Sequence, residues 1–387
     1  MSKLEKLIQQ YCPDVVEYKA LGEVTIMKRG TSATKGIMQE GNIPVISGGR
    51  QPAFYCNASN RTGEVITVAG SGAGAGYVQY WNEPIFVCDA FSIQGNETLN
   101  TKYVYYVLTS IQEKIYSTKK GGGVPHVHIS SIDKFEIPVP PLPVQEEIVR
   151  ILDTFTELQT ELQAELQKRK QQYNYYRDNL LSFEGRTDVE WKKLGEIASI
   201  KTGRRFVRTD IRESGVPCFH YGDIYTYYGL TATQTKGYLD EELAKKLRFA
   251  QPNDVVVVCA GENDMDIGVG VAWLGDEPAV VHDACCILHH NQSPRYISHF
   301  LRTHNYHLQM KKYVKNGKIS SLPASGLAEA LIPLPSFEEQ QRIVSILDRF
   351  DTLTTDLTQG LPAEIEKRRQ QYEFYRDKLL TFKRKEA

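Results

Sequence analysis

A chain of 387 residues with a net charge of −1 is longer than a single hydrophobic core usually serves, so two or more domains are expected. Its 41% hydrophobic and 24% charged residues are typical of a globular protein and exclude a disordered one. A protein that holds DNA by itself usually carries a basic excess, because phosphate contacts supply most of the affinity. Any nucleic-acid role must therefore depend on local basic patches or on partner proteins.

The amino terminus and the cysteines bear on the compartment. Residues 1–10 carry charges at positions 3, 5 and 6 and have no apolar core, so neither a signal peptide nor a membrane anchor is expected. The seven cysteines form an odd set without a CxxC pair, which favours reduced core cysteines; a zinc site is the less favoured alternative. We expect a cytoplasmic protein that does not bind a membrane.

The first third of the chain predicts a short helix followed by a β-rich domain. Residues 1–18, with a helix at Ser2–Tyr11, are expected to belong to a frame rather than to the domain. Residues 19–136 are rich in Val, Ile, Tyr and Gly and contain many turn signals, which indicates an α/β domain with many strands. The predicted elements are strands at Glu64–Ala69, Tyr77–Trp81 and Ile85–Val87, and a helix at Lys102–Thr118.

Residues 137–185 predict one long amphipathic helix. Apolar residues at 148, 151, 152, 155, 158, 162 and 166 recur at helical spacing after Glu146, and the pattern continues to Phe183. A helix of about 40 residues would span about 60 Å. Residues 156–167 consist of three tetrads, Thr-Glu-Leu-Gln twice and then Ala-Glu-Leu-Gln.

The second half of the chain repeats this order. Residues 186–331 predict another strand-rich domain, with a strand at Asp254–Cys259 and a helix at Pro294–Val314. Residues 332–387 predict a second long helix, which opens on a capping-box pattern at Ser336 and Glu339. Pro362 removes a helical hydrogen bond, so a break or kink is expected near it.

Matched segments indicate an internal duplication. Ile137–Phe155 aligns without a gap with Ile332–Phe350, and Lys168–Phe183 aligns with Lys367–Phe382. The chain order makes the two helices antiparallel about a pseudo-two-fold axis, and the short first helix is expected near the end of the last one. Two unrelated amphipathic core helices are the alternative.

The two domains match only faintly. Gly30 corresponds to Gly203, Pro44 to Pro217, and the pair Asp89-Ala90 to Asp283-Ala284. The helical frame is therefore the same in both copies, and the two domains that it carries have different surfaces. The fold class that follows is α/β (α+β), with two β-rich domains separated by two long antiparallel helices.

The chain has no convincing catalytic motif. Gly70–Gly76 follows a predicted strand and is interpreted as a glycine-rich loop or hairpin; a loop held close to DNA backbone and a cofactor loop are the alternatives. The sequence contains neither GxxxxGK(S/T), nor HExxH, nor the motif of adenine methyltransferases. The groupings His126-x-His128 and His282-x-x-Cys285 lack a second ligand pair nearby and are interpreted as non-metal.

Basic and aromatic residues cluster at equivalent places of the two domains. Arg and Lys can pair with phosphates or guanine edges, although any one such residue is more often a solvated surface charge. The candidate DNA-binding residues of the first domain are Lys28, Arg29, Lys35, Arg50, Ser71, Lys119, Lys120, His126 and His128. Those of the second domain are Lys201, Arg204, Arg205, Arg208, His220, Tyr221, Lys312, Lys315 and Lys318.

Taken together, these features resemble the specificity subunits of type I restriction-modification systems over nearly the whole chain. The resemblance is carried by Ile137-Pro-Val-Pro and Ile332-Pro-Leu-Pro, by the two Gln-x-x-Ile-Val-x-Ile-Leu-Asp-x-Phe blocks and by the two Gln-Gln-Tyr-x-(Tyr/Phe)-Tyr-Arg-Asp-x-Leu-Leu blocks. The tetrads make the match closest to the branch whose spacer carries tetrapeptide repeats. The four residues around Gly360–Pro362 depart from exact duplication and leave the half-site spacing open.

The resemblance implies a non-catalytic, DNA-binding protein. Its two target-recognition domains, approximately Lys19–Glu136 and Lys192–Leu331, would each read one half of a split sequence in double-stranded DNA. The helices would set the gap and dock two methyltransferase subunits, and two ATP-dependent restriction subunits would join them. No cofactor is expected in this chain; S-adenosylmethionine, ATP and Mg²⁺ are expected on the partner subunits.

The resemblance also nominates spacer or partner-docking residues on the two helices. Those of the first helix are Gln145, Ile148, Ile151, Leu152, Phe155, Tyr173, Tyr176 and Arg177. Those of the second helix are Gln340, Ile343, Ile346, Leu347, Phe350, Tyr372, Tyr375 and Arg376. The alternative functions are a stand-alone adaptor that spaces two protein-binding heads and an enzyme that uses the Gly70–Gly76 loop.

Overall fold

The computed structural model describes residues 2–33, 39–261, 267–315, 317, 319–356 and 358–384. The chain forms two compact units: unit 1 comprises Met1–Glu161 and Glu366–Ala387, and unit 2 comprises Leu162–Ile365. Each unit contains one β-rich domain together with segments of the first and the last long helices. Within the described residues, none of the helices combines the length and the apolar character that crossing a membrane requires.

The first half of the chain begins with a capped helix and ends with the long helix. Its helices are α1 (Lys3–Tyr11), α2 (Leu21–Val24), α3 (Thr101–Ser110), α4 (Gln112–Tyr116), α5 (Ile129–Ile132) and α6 (Leu142–Leu180). Its strands are β1 (Tyr18–Ala20), β2 (Thr25–Arg29), β3 (Ile43–Ile46), β4 (Phe54–Cys56), β5 (Val65–Ala69), β6 (Val78–Trp81), β7 (Phe86–Val87), β8 (Ala90–Gly95) and β9 (Glu136–Pro138).

The strands of unit 1 form three sheets. The main sheet has the order β2-β8-β5-β6 and is antiparallel throughout, the second has the order β4-β3-β7, and β1 pairs with β9. Strand β5 reads Val-Ile-Thr-Val-Ala and is buried on both faces, because α3 and a second cluster of apolar side chains cover the sheet. Tyr103 and Tyr106 of α3 are among the largest fully buried side chains.

The second half repeats these elements with insertions. Its helices are α7 (Leu194–Ile197), α8 (Tyr221–Thr226), α9 (Glu241–Ala244), α10 (Pro294–Phe300), α11 (His304–Met310), α12 (Ala324–Ala328), α13 (Phe337–Thr355) and α14 (Leu361–Leu379). Its strands are β10 (Glu190–Lys193), β11 (Ala198–Thr202), β12 (Val216–Phe219), β13 (Thr231–Ala232), β14 (Gly237–Leu239), β15 (Phe249–Ala250), β16 (Val255–Val258), β17 (Ala260–Gly261), β18 (Gly270–Trp273), β19 (Ala279–Val281), β20 (Cys285–His290), β21 (Ser320–Ser321) and β22 (Leu331–Leu334).

The main sheet of unit 2 follows the same topology as that of unit 1. Its order is β11-β20-β16-β18-β13, so the first four strands correspond to β2, β8, β5 and β6. A second sheet has the order β14-β12-β19-β15, β10 pairs with β22 as β1 pairs with β9, and β17 pairs with β21. All seven cysteines are free thiols, five of them buried, which agrees with the odd set in the sequence.

The helical segments within unit 1 run antiparallel. Near the start of α6, the Tyr18 hydroxyl on β1 donates to the carbonyl of Phe382, which follows α14, and β1 pairs with the strand that precedes α6. Further along α6, Phe155 stacks on Tyr375 at 5.6 Å between ring centroids. Helix α1 lies at this end, because Lys3 forms a 2.6 Å ion pair with Glu147. The predicted proximity of the first helix and the end of the last is confirmed.

The helical segments within unit 2 repeat that arrangement. Arg186, which follows α6, lies 3.4 Å from Glu339 in the first turn of α13. Further along α13, Phe350 stacks on Tyr176 of α6 at 5.4 Å. Antiparallel pairing of the helical segments and the repeated frame are therefore confirmed within each unit.

Equivalent hydrogen bonds join the long helices to the domains. In unit 1 the side chain of Asp153 accepts from Lys102 Nζ at 2.8 Å and from the Tyr106 hydroxyl at 2.5 Å. In unit 2 Asp348 accepts from Arg295 at 2.6 Å and lies 3.0 Å from His299 Nε2. The aspartate that joins the long helix to the domain is thus repeated in both units, but its partners differ.

Some predicted elements differ from the observed ones. Helix α6 begins four residues before Glu146, and the helix expected at Lys102–Thr118 is divided into α3 and α4 at Ile111. The helix expected at Pro294–Val314 is divided into α10 and α11, because Thr303 caps a new helix by accepting from the amide of Tyr306. The break expected near Pro362 is confirmed, since α13 ends at Thr355 and α14 begins at Leu361.

Candidate nucleic-acid interface

A close backbone approach at the end of β2 forms one side of a groove in unit 1. The amide of Gly30 donates to the carbonyl of Ala90, and a Cβ at position 30 would lie only 2.0 Å from the carbonyl oxygen of Cys88. Only glycine fits there, because any side chain would overlap the backbone. The tight turn brings Arg29 beside the loop that contains Asp89.

The first groove, defined here by Arg29, Asp89, His126 and His128, has a volume of about 190 Å³. The Ser71 hydroxyl donates to the carboxylate of Asp89 at its rim. His126 and His128 are exposed, and their rings lie nearly parallel with centroids 6.0 Å apart. A cation, a carboxylate and two imidazoles therefore converge, a set that can exchange hydrogen bonds with base edges and phosphates.

The Gly70–Gly76 segment is the connection of an antiparallel β5–β6 pair. Its interpretation as a hairpin is confirmed. The segment packs tightly on a second glycine-rich turn, since a Cβ at Gly48 would lie 2.3 Å from the carbonyl oxygen of Ser71. Ser71 in turn pairs with His126 through an isolated β-bridge, so the hairpin forms part of the groove wall.

Two further candidates of unit 1 lie on aromatic faces near this hairpin. The Arg50 guanidinium lies 5.1 Å from the ring centroid of Tyr77, and Lys119 Nζ lies 4.1 Å from that of Tyr116. Cation–π contacts hold such side chains in place while leaving the charge available to an anion. Lys28 is exposed on the edge strand β2, and Lys120 is exposed beside His126, with which it exchanges two backbone hydrogen bonds.

Unit 2 has a larger groove at the equivalent place. The second groove, defined here by Arg205, Phe206, Arg208, His220 and Tyr221, has a volume of about 810 Å³. Its wall is aromatic: the rings of His220 and Tyr221 lie 4.6 Å apart. The exposed Arg205 and Arg208 supply the positive charge.

The imidazoles of this groove are held neutral. Burial lowers the pKa of His220 below its usual value, and the neighbouring His282 lowers it further. Burial also lowers the pKa of His282, whose ring lies 4.8 Å from that of His220 and 5.0 Å from that of Phe206. At neutral pH these rings can therefore stack and exchange hydrogen bonds, but the arginines carry the charge.

The two grooves are built from corresponding backbone. A Cβ at Gly203 would lie 2.3 Å from the carbonyl oxygens of Val281 and His282, as at Gly30 in unit 1. Lys315 exchanges two backbone hydrogen bonds with Ser321, as Lys120 does with His126. The same scaffold thus presents two different sets of side chains.

The remaining candidates of unit 2 lie around this groove or outside it. Lys201 is exposed on the edge strand β11, and Arg204 donates to the carbonyl of Lys246 at 2.8 Å. Lys312 lies over the ring of Tyr313, and Lys315 is exposed. Lys35 and Lys318 lie outside the described residues.

The groove residues that were absent from the sequence-based set include Asp89, Phe206, His282 and Asp283. The repeated Asp-Ala pair was visible in the sequence, but an acidic residue does not suggest DNA contact. His282 was considered only as a metal ligand. In the described part of the chain, no group of three or more His, Cys, Asp or Glu side chains could hold a metal ion.

The nominated helix residues divide by exposure. Eight are buried within their own unit: Gln145, Ile148, Leu152, Tyr173, Arg177, Gln340, Ile343 and Leu347. Six are half-buried: Ile151, Phe155, Ile346, Phe350, Tyr372 and Arg376. Tyr176 and Tyr375 are exposed. Burial favours a role in the frame for the first eight, which have no surface to offer a partner in this structure.

Comparison with known proteins places these features in a family context. The sequence model of the family described as type I restriction modification DNA specificity domain matches residues 13–169 and 187–367. The matched segments cover both β-rich domains and the first part of each helical region.

Two curated relatives match over essentially their whole length. The chain is 33% identical to the type I restriction enzyme EcoR124I/EcoR124II specificity subunit of Escherichia coli, over 100% of this chain and 98% of that subunit. It is 30% identical to a putative type I restriction enzyme specificity subunit of Haemophilus influenzae, over 98% of each chain.

Solved structures support the fold. A chain from work on complex assembly and conformational transition of the type I R-M system matches with a TM-score of 0.63 and 16% identity, over 95% of this chain and 97% of that one. The S subunit of a type I restriction-modification system from M. genitalium matches with a TM-score of 0.52 and 18% identity, over 94% and 95%.

Proposed function

Since the chain belongs to the type I restriction modification DNA specificity family, we propose that it is the sequence-specificity subunit of a type I restriction-modification complex. It acts in the cytoplasm, where each β-rich domain reads one half of a bipartite target in double-stranded DNA. The single observation that carries the proposal is the pair of equivalent grooves, built on one backbone scaffold but lined by different side chains.

The different linings indicate different half-sites. The first groove is lined by Arg29, His126 and His128, whereas the second groove is lined by two arginines and several aromatic rings. Arginine pairs best with guanine edges and phosphates, and aromatic rings contact thymine methyl groups and sugars. Two such surfaces on a repeated frame would read two unlike sequences separated by a gap.

The helices, as we propose, set that gap and dock two methyltransferase subunits. Tyr175 and Phe374, at matching positions of α6 and α14, are 66% and 62% exposed. Large exposed aromatics are typical of interface anchors. Each is followed by the second exposed aromatic of its helix, Tyr176 or Tyr375, so each unit presents one equivalent aromatic pair.

Chemistry would belong to the partners. The methyltransferase subunits would bind S-adenosylmethionine and methylate adenine, and two restriction subunits would use ATP and Mg²⁺ to cleave unmodified DNA. The near-neutral charge of this chain fits such sharing, because the partners would supply part of the phosphate contacts. We infer from the tetrads of α6 that the chain belongs to the branch with tetrapeptide repeats.

Methylome sequencing tests the proposed function. The chain is co-expressed with its cognate methyltransferase subunit, and methylated adenines are mapped. The expected result is one split motif with a fixed gap. Absence of methylated adenines in any split motif, from a complex shown to assemble, would overturn the proposal.

The docking surface has its own test. Replacing both anchors, Tyr175→Ser with Phe374→Ser, should abolish co-purification of the methyltransferase subunit. Tyr227→Ser is the matched control, because Tyr227 is 61% exposed but lies in the second β-rich domain. Undiminished co-purification of the double variant would refute docking at this surface.

A further inference from the structure

Unit 2 contains a polar cavity separate from the recognition groove. Its volume is about 630 Å³, and it lies among the second part of α6, the start of α11 and the end of α13. It shares no lining residue with the second groove. Its size falls in the range of pockets that hold small molecules, about 300–1,000 Å³.

Among the residues that the structure describes, two cations that line the cavity, Arg302 and Lys170, lack a carboxylate in hydrogen-bonding contact. Arg302 uses Nη2 to donate to the carbonyls of Gly229 and Gly270, at 2.8 and 3.1 Å. Its Nε is buried and has no hydrogen-bond partner among the described residues. Lys170, at the rim, is exposed and makes no ion pair within the same described part of the chain.

The other lining charges do not satisfy these two. Arg177 and Asp178 neutralise each other, with the carboxylate accepting at 3.0 and 2.9 Å. Asp351 also lines the cavity, and burial raises its pKa. Burial lowers the pKa of His307, so its ring adds no charge at neutral pH. Among the described lining residues the cations Lys170, Arg177 and Arg302 outnumber the acidic Asp178 and Asp351, so the setting is positive.

Unit 1 shows that the frame does not need a charge at the positions of Arg302 and Asp351. The position that matches Arg302 is Thr109, whose hydroxyl donates to the carbonyl of Tyr106 at 2.9 Å. The position that matches Asp351 is Thr156, which donates to the carbonyl of Leu152. At these two positions unit 1 has neutral threonines bonded within their own helices, so the charges of Arg302 and Asp351 in unit 2 call for another explanation.

We propose that this cavity binds a small phosphate-bearing anion free in solution, with Arg302 and Lys170 as its cationic ligands. A guanidinium edge matches the oxygens of a phosphate, and a flexible ammonium adds a second charge. The anion would accept from Arg302 Nη1, which makes no hydrogen bond among the described residues, whereas the buried Nε lies out of reach of a ligand in the cavity. Because its two ligands lie on α6 and on the turn between α10 and α11, the anion would stabilise the joint between the frame and the second domain.

Isothermal titration of the full chain with inorganic phosphate tests the proposal. We expect one site per chain, weakened at least about tenfold in Arg302→Gln and in Lys170→Glu, since a hydrogen bond to a charged group is worth that much. Arg169→Gln is the matched control, because Arg169 neighbours Lys170 on α6 but pairs with Glu165 and does not line the cavity. Its affinity should equal that of the parent chain.

Three outcomes would overturn the proposal. One is the absence of phosphate binding at concentrations up to roughly 10 mM, because a specific site of this kind would have a dissociation constant below that value. Another is unchanged affinity in Lys170→Glu, which is decisive even if Arg302→Gln fails to fold by circular dichroism. In the third, the parent chain does not bind phosphate, but Lys170→Glu binds duplex DNA more weakly than the parent does. That result would mean that the cavity holds a phosphate of the DNA backbone.

Discussion

The side-chain oxygen of Gln145 on α6 accepts a hydrogen bond from the backbone amide of Asn100, the N-cap of α3, at 2.8 Å. The Gln145 side chain is buried, and its amide also donates to the carbonyls of Thr98 and Pro140. In unit 2, Gln340 accepts from the amide of Ser293, the N-cap of α10. The same residue type thus clamps the helix to the domain in both copies.

Replacement of the clamp should loosen the joint. In Gln145→Ala the amide of Asn100 loses its partner, so we expect its hydrogen exchange to accelerate at least about tenfold. Gln163→Ala is the control, because Gln163 is an exposed residue of the same helix. Unchanged exchange at Asn100 would show that the clamp contributes nothing.

The grooves predict effects confined to one half-site. Arg205→Ala should relax recognition in the half-site read by unit 2, at a cost of about 1–3 kcal/mol, and leave the other half intact. Arg212→Ala is the matched control, because Arg212 pairs with Asp240 at 3.1 Å and does not line the groove. Methylome sequencing of both variants provides the measurement. A change in both half-sites, or in neither, would argue against this groove.

The tetrads predict the spacing of the half-sites. Deletion of Thr160–Gln163 removes one tetrad and shortens α6 by about 6 Å, with a rotation of roughly 40°. The methylated motif should keep both half-sites and change its gap. An unchanged gap in the sequenced motif would refute the role of α6 as a spacer.

The ion pair between Lys3 of α1 and Glu147 of α6 should weaken in acid. Hydrogen bonds from Arg150 and Lys3 lower the pKa of Glu147 to about 2, although burial opposes them. A carboxyl group whose pKa is depressed in the folded state stabilises it above the unfolded pKa of about 4.3, and this contribution is lost as the pH falls towards 2. Urea unfolding of Glu147→Gln between pH 6 and pH 3 should show a weaker pH dependence than the parent chain.

Glu146→Gln is the control for that experiment, since Glu146 is the exposed neighbour on the same helix. Its pH dependence should follow that of the parent. An identical slope for Glu147→Gln and the parent would contradict a stabilising role for the pair of Lys3 and Glu147.

The helical frame was predictable because it is periodic and duplicated. The spacing of apolar residues located α6 to within a few residues, and Pro362 marked the break before α14. The division at Thr303 was missed, because a cap inside an apolar run is a hydrogen-bonding event that periodicity does not report.

The grooves were only partly predictable. Arg29, His126 and His128 were nominated from local clusters and do meet in space. Asp89 and Phe206 join their grooves through turns far apart in sequence, and residue type alone did not point to them. The burial of Gln145 and Gln340 was likewise not predicted, since a polar residue in a repeated motif suggests a surface.

Exchange of one β-rich domain tests directly whether each domain reads its own half-site. Residues 198–331 are replaced by the corresponding domain of a relative with a different target, and methylated adenines are mapped after co-expression with the methyltransferase subunit. We expect a motif in which one half-site is new, while the other half-site and the gap are those of the parent. A methylated motif with both halves altered, or with neither altered, would show that the domains do not read separate half-sites.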